Sequence, residues 1–91
     1  MMAPTLRDLP NIGEQLASEL VASDLISIED LTAMGSLNAA FCLRDHGFSV
    51  CANKLYALEG AIRGVRWHAI PSQQRSALWS AFQADRFDRS D

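Results

Sequence analysis

Apolar positions recur at three- and four-residue spacings along most of the chain, and glycines or small polar residues punctuate them. That period predicts helices rather than strands. Thr5 followed by Asp8 is a capping pattern for a short helix over residues 5–9. Leu9-Pro10-Asn11-Ile12-Gly13 then reads as a tight turn, because Pro10 fixes φ and Asn11 and Gly13 tolerate positive φ. A helix over residues 13–22 follows, with Leu16, Leu20 and Val21 as its apolar stripe and Glu14, Gln15 and Glu19 toward water. Ser27 and Asp30 cap the next helix, which runs through Ile28, Leu31 and Met34 and closes at Gly35. Ser36 is placed to cap a helix over residues 37–46, with Leu37, Ala40, Phe41 and Leu43 inward and Gly47 as its stop. The longest helix is expected from residue 49 or 50 to 63, where Gly64 ends it, with Cys51, Leu55, Leu58 and Ile62 on one buried face. Gly60 sits inside it at a cost of about 1 kcal/mol relative to Ala, which implies that another helix approaches closely there. A connector holding Trp67 and His68 leads to Pro71, the expected first residue of a last helix to residue 84. Leu78, Ala81 and Phe82 form its expected inward face, with Trp79 at the edge.

No run combines period-two alternation with β-branched residues, so no strand is expected. The predicted fold is all-α: a bundle of five to six short helices over residues 5–84. Residues 1–4 read as a flexible N-terminus, and the alternating charges of residues 85–91 as a disordered tail.

Composition narrows the class of protein. The 91 residues are 48% hydrophobic and 21% charged, which fits one globular domain. No apolar stretch reaches the ~20 residues that span a bilayer, and the N-terminus lacks the order of a signal peptide. A cytoplasmic location with reduced thiols at Cys42 and Cys51 is therefore expected. The net charge of −3 argues against a general polyanion binder. The charge is unevenly spread: residues 1–43 carry −5 and residues 44–75 carry +3.

Two stretches carry chemistry. The short helix, the 9–13 turn and the following helix resemble a helix-hairpin-helix element. In such an element, backbone N–H groups at the start of the second helix can hold a phosphate. Asn11, Ile12 and Gly13 are the candidate residues, but Glu14 stands where a basic residue would help. The second stretch runs from Asn53 to His68. Tyr56, Glu59 and Arg63 share one helix face, and Glu59 can pair with Arg63. As a solvated face with a packing aromatic, it needs no ligand. As a recognition surface, Tyr56, Arg63, Arg66, Trp67 and His68 are of the types enriched in binding hot spots. Aromatic residues with Lys54, Arg63 and Arg66 also suit nucleic acid.

The run Leu55-Tyr56-Ala57-Leu58-Glu59-Gly60-Ala61-Ile62-Arg63-Gly64, with Trp67 and Ile70-Pro71 after it, is similar to the C-terminal domain of the TfoX/Sxy family. The Leu-Pro-Asn-Ile-Gly turn and the Leu25-to-Leu31 segment stand in that family's order and spacing. The resemblance covers residues 5–84. It implies a compact helical domain and a role near regulation of bacterial competence genes, where family members work with the cyclic-AMP receptor protein at promoters. Family regulators carry an N-terminal α/β domain before this one, so the chain is expected to be a stand-alone version or a fragment. The partner it implies is a protein, from the transcription machinery or as a TfoX N-terminal domain.

Other chemistry has less support. Cys42, His46, Cys51 and His68 could in principle form a two-cysteine, two-histidine zinc set, but their spacing matches no zinc motif, so no metal or cofactor is expected. No phosphate loop, catalytic carboxylate pair or nucleophile elbow is present, so no enzyme is expected. The reading that results is a non-enzymatic interaction domain acting by protein contact in competence regulation. Direct DNA binding through the hairpin or the basic 44–75 region is the alternative, and the edge aromatic Trp79 makes a homodimer plausible.

Overall fold

Helix starts and stops here are set by local hydrogen bonds that can be traced residue by residue. The structure, a computed structural model, describes Leu6 and residues 9–88, with side chains through residue 84. The expected helix over residues 5–9 and the expected flexible segment 1–4 lie outside the described residues, apart from Leu6 and Leu9. Pro10 and Asn11 form the turn, with Asn11 at φ 72°. Gly13 precedes α1 (Glu14–Ala22), and its carbonyl accepts the Ala17 N–H at 3.0 Å. Leu16, Ala17 and Leu20 face the core. Val21 is 51% exposed, not part of the stripe, because it lies a quarter-turn beyond Leu20. The α1 exit is a Schellman closure: Asp24 N–H bonds the Val21 carbonyl and Leu25 N–H bonds Leu20. Asp24 takes the left-handed position at φ 67°, and Leu25 is buried behind it.

The Ser27–Asp30 pair works as its spacing predicts. Ser27 Oγ accepts the Asp30 N–H at 3.1 Å, opening α2 (Ile28–Met34). Asp30 Oδ2 in turn accepts the Ile26 N–H at 3.3 Å. Gly35, at φ 83°, serves as both the end of α2 and the cap of α3 (Ser36–Asp45). Ser36 is thus the first residue of α3 rather than its cap, and its hydroxyl is used elsewhere. Gly47, at φ 90°, ends α3 as expected, with Phe48 N–H returning to the Leu43 carbonyl.

The helix expected to be longest is α4 (Ala52–Arg63), which starts after residues 49–50 because Cys51 is its cap. Its 12 residues are fewer than the 17 of the last helix. Leu55 and Leu58 are fully buried, and Ala57, Gly60 and Ala61 widen the buried face. Cys51 does not belong to that face. It occupies the extended cap position, where helical phase no longer applies, and is exposed. After Gly64, a single 3-10 turn covers Trp67–Ala69, and α5 runs Ser72–Asp88. Pro71 stands one place before α5, its carbonyl accepting the Arg75 N–H at 3.1 Å. The helix continues beyond the expected end at residue 84. On its inner side Phe82 is buried and Leu78 and Trp79 are half-buried, but Ala81, a quarter-turn from Phe82, is exposed.

The fold is all-α, with five α-helices and no strand among the described residues. α4 lies at the centre, packed against α2, α3, α5 and the 3-10 turn. Leu20, Leu31, Leu43, Leu55 and Leu58 are buried to the last few square ångströms, each contributing about 1.5–3 kcal/mol. Phe41 and Phe82 stack at 5.1 Å and Trp79 adds to the stack at 5.6 Å from Phe82, joining α3 to α5. No described helix is long and apolar enough to cross a membrane.

Candidate functional site

The hairpin turn and the connector after α4 are tied to each other. Asn11 Nδ2 donates to the Val65 carbonyl at 2.8 Å, and Asn11 Oδ1 accepts the Trp67 N–H at 3.1 Å. One side chain therefore satisfies two backbone groups of a loop more than fifty residues away in sequence. Gly60 makes the approach possible. A Cβ there would sit 2.5 Å from Asn11 Nδ2, 2.7 Å from the Val65 carbonyl and 3.0 Å from Trp67 N. The close neighbour of Gly60 is thus the connector backbone with Asn11, not another helix.

The connector so fixed carries an aromatic cluster. The Tyr56 and Trp67 rings lie 5.7 Å apart, tilted by 34°. Trp67 stacks on His68 at 3.8 Å. The Arg75 guanidinium lies 5.8 Å from the Tyr56 ring and 5.4 Å from the Trp67 ring, within cation–π range of both. Its Nε is held by the Ile70 carbonyl at 3.0 Å. Arg66 is exposed on the same connector. Tyr56, Trp67 and His68, predicted as one surface, do come together. Arg75 joins them although its position in sequence gave no local sign of it beyond its charge.

Arg63 is engaged in a different network. Its Nε contacts Glu59 Oε2 at 2.6 Å and its Nη1 donates to Gln74 at 2.9 Å. Glu59 Oε1 accepts the Ser36 hydroxyl at 2.5 Å, so this carboxylate links α3, α4 and, through Arg63, α5. Partial burial pushes the Glu59 carboxyl up, but the Ser36 and Arg63 hydrogen bonds and the Arg63 charge together hold it below its ordinary value. Beside this network a groove of about 400 Å³ runs between α4 and α5, lined by Glu59, Arg63, Ile70, Gln74 and Leu78 among others.

The remaining candidates are committed to the fold. Lys54 pairs with Glu19 at 2.6 Å and donates to the Ser49 carbonyl at 2.6 Å. The pair is largely buried, with side chains 19% and 12% exposed, so Glu19 does not face water as its place in α1 suggests. Within the turn, the Asn11 side chain is occupied, Ile12 is buried and its N–H lies 3.4 Å from the Leu9 carbonyl, and Gly13 is exposed. Glu14 is the next residue. The hairpin therefore serves as an internal clasp between α1 and the connector. Of the four candidate zinc ligands only two adjoin: Cys42 Sγ and His46 Nδ1 lie 3.8 Å apart, with the thiol also donating to the Ser23 carbonyl and His46 Nδ1 2.8 Å from the Cys42 carbonyl. Cys51 is exposed at the start of α4, and His68 stacks on Trp67. Among the described residues no three His, Cys, Asp or Glu side chains gather as a metal site.

An all-α domain clasped by a hairpin asparagine and displaying an aromatic–cationic loop is the class the geometry defines. The model of the TfoX C-terminal domain family matches residues 2–82, and the chain belongs to that family. It is also similar to two solved structures. An uncharacterized protein from Listeria monocytogenes, in a triclinic form, is 34% identical with a TM-score of 0.85, over 91% of this chain and 94% of that one. A protein of unknown function from the same organism, in a tetragonal form, is 35% identical with a TM-score of 0.80, over 86% and 96%. No curated protein matches the chain.

Proposed function

We propose that the chain is a non-enzymatic interaction domain of the cytoplasm that acts by protein–protein contact in the regulation of competence genes. The observation that carries the reading is the Tyr56–Trp67–His68–Arg75 cluster. Its Tyr, Trp and Arg are residue types over-represented in binding hot spots, and the connector that carries Trp67, between Tyr56 of α4 and Arg75 of α5, is held in place by Asn11. A pre-positioned loop loses little freedom when a partner binds, so more of its contact energy appears as affinity. The regulatory setting is what membership of the family suggests, and the aromatic–cationic surface supports contact with a protein partner.

The test is transcription of DNA-uptake genes in the source organism with Trp67→Ala in the chromosomal copy. Truncating a hot-spot aromatic costs about 2 kcal/mol or more of binding, so regulation falls by roughly tenfold or more. The purified variant must retain its helical circular dichroism and cooperative melting. Unchanged transcription with a folded variant overturns the reading.

A further inference from the structure

We propose that the Tyr56–Trp67–Arg75 cluster is a docking site for an acidic peptide segment of a partner protein, a proposal that rests on the protein-contact reading above. Charge is the first argument. Between Glu59 and Asp85 the chain has no carboxylate, yet it carries Arg63, Arg66 and Arg75. Glu59 and Arg63 pair and offset one another, so the excess positive charge of this face rests on Arg66 and Arg75. A chain with a net charge of −3 thus presents one positive face, and electrostatic complementarity selects a partner of opposite sign.

Geometry is the second argument. The Arg75 side chain is fixed by the Ile70 carbonyl through Nε and by the two rings it covers. Its terminal nitrogens find no acceptor among the described residues. A guanidinium held this way presents a rigid two-nitrogen fork of the spacing that a carboxylate accepts. Arg66, exposed on the adjoining connector, supplies a second cation.

The same geometry weighs against two other occupants. A nucleic-acid base needs an open ring face, but Trp67 already stacks on His68 and lies against Tyr56 and Arg75. A second copy of this chain would have to offer the carboxylates of its acidic half. Glu19 is bound to Lys54, Asp30 caps the entry of α2 and Glu14 has a partner of its own, which leaves Asp24 and Glu29 as the other exposed carboxylates among the described residues of that half.

The experiment measures fluorescence anisotropy of a labelled short peptide of alternating glutamate and aspartate with the full chain. An oligolysine peptide and a DNA duplex serve as comparators, and each is read at low salt and at physiological ionic strength. The acidic peptide is expected to bind, the oligolysine is not, and Arg75→Gln weakens binding about tenfold or more. Arg66→Gln, at an exposed position that cannot unfold the domain, weakens it several-fold. Chemical shifts of the Trp67 indole N–H are expected to move with the peptide. The proposal is overturned if the peptide does not bind, if both variants bind it unchanged, or if the duplex binds more tightly. Sedimentation showing a low-salt dimer that Arg75→Gln abolishes also overturns it, by assigning the site to a second copy. If the peptide fails while Trp67→Ala still removes regulation, the interaction reading stands and only the acidic partner falls. If both fail, the reading falls as well.

Discussion

Asn11 adopts φ 72° and turns its amide onto a loop 54 to 56 residues away, and both features favour its residue type. Asparagine tolerates the left-handed region better than other non-glycine residues, and its amide offers a donor and an acceptor on one plane. Asn11→Ala removes two hydrogen bonds and places a methyl at positive φ. At roughly 0.5–1.5 kcal/mol per bond, a loss of about 2 kcal/mol follows. Gly60→Ala is expected to destabilise as well, by about 1–3 kcal/mol, although alanine is the better helix former by about 1 kcal/mol. Two of the three atoms its Cβ meets are backbone and cannot swing away. Urea unfolding reads both as a lower midpoint with an unchanged slope. Since the two residues touch, the double variant loses less than the sum of the singles. Glu59 gives a pH-dependent prediction at the same scale. Its carboxyl is pushed up by burial, but the Ser36 and Arg63 contacts prevail and hold it below 4.5. The stability it contributes is therefore fully present above the unfolded value and is lost as pH falls through the lower, folded value. Between pH 5 and pH 3 the wild type should lose more stability than Glu59→Gln, which cannot titrate; parallel melting curves would refute this.

At the scale of elements, α1 is anchored to α4 by one ion pair, Glu19–Lys54, with Lys54 also reaching the end of the α3–α4 loop at Ser49. Lys54→Ala leaves the Glu19 carboxylate largely out of water with no cation, a loss of about 1–3 kcal/mol. Charge reversal of both partners, Glu19→Lys with Lys54→Glu, should recover part of it in a thermal melt; no recovery means the pair is not what joins the helices. This anchor shows where sequence reasoning reaches its limit. Helix boundaries are legible because their causes are local: Ser27 and Asp30 are three residues apart, and Gly35, Gly47 and Gly64 stand where positive φ is needed. The inward positions Leu16, Leu20, Leu31, Leu43, Leu55, Leu58 and Phe82 follow from period alone. Glu19 reads as solvated because nothing in α1 announces a lysine 35 residues later. Cys51 reads as core because the stripe keeps its phase one residue past the helix start. At the candidate site, Tyr56, Trp67 and His68 are legible as types of residue near one another in sequence. Arg75 and Asn11 are not, because only the packing of α5 and of the hairpin against α4 brings them there.

For the whole molecule, the uneven charge decides which polymers it can bind. A duplex approaching from a distance meets a net charge of −3, with most of the negative charge in the N-terminal half. Among the described residues, the cations near the connector are Arg63, Arg66 and Arg75, of which Arg63 already pairs with Glu59. Lys54 is paired with Glu19, and Arg44 lies over the Phe41 and Phe82 rings. At the hairpin the Asn11 side chain is bound to the connector, and the Glu14 charge beside Gly13 opposes a phosphate at the start of α1. Three phosphate contacts on this face would give a salt slope of about −3 or shallower, too few to hold a duplex at physiological ionic strength. The expected result for labelled duplex is therefore no anisotropy change at physiological salt and weak binding at low salt. Micromolar affinity at physiological salt, with a slope steeper than about −3, would require more cationic contacts than this face provides. It would move the function from protein contact to DNA, and Arg66→Gln and Arg75→Gln would then each lower the slope by about one.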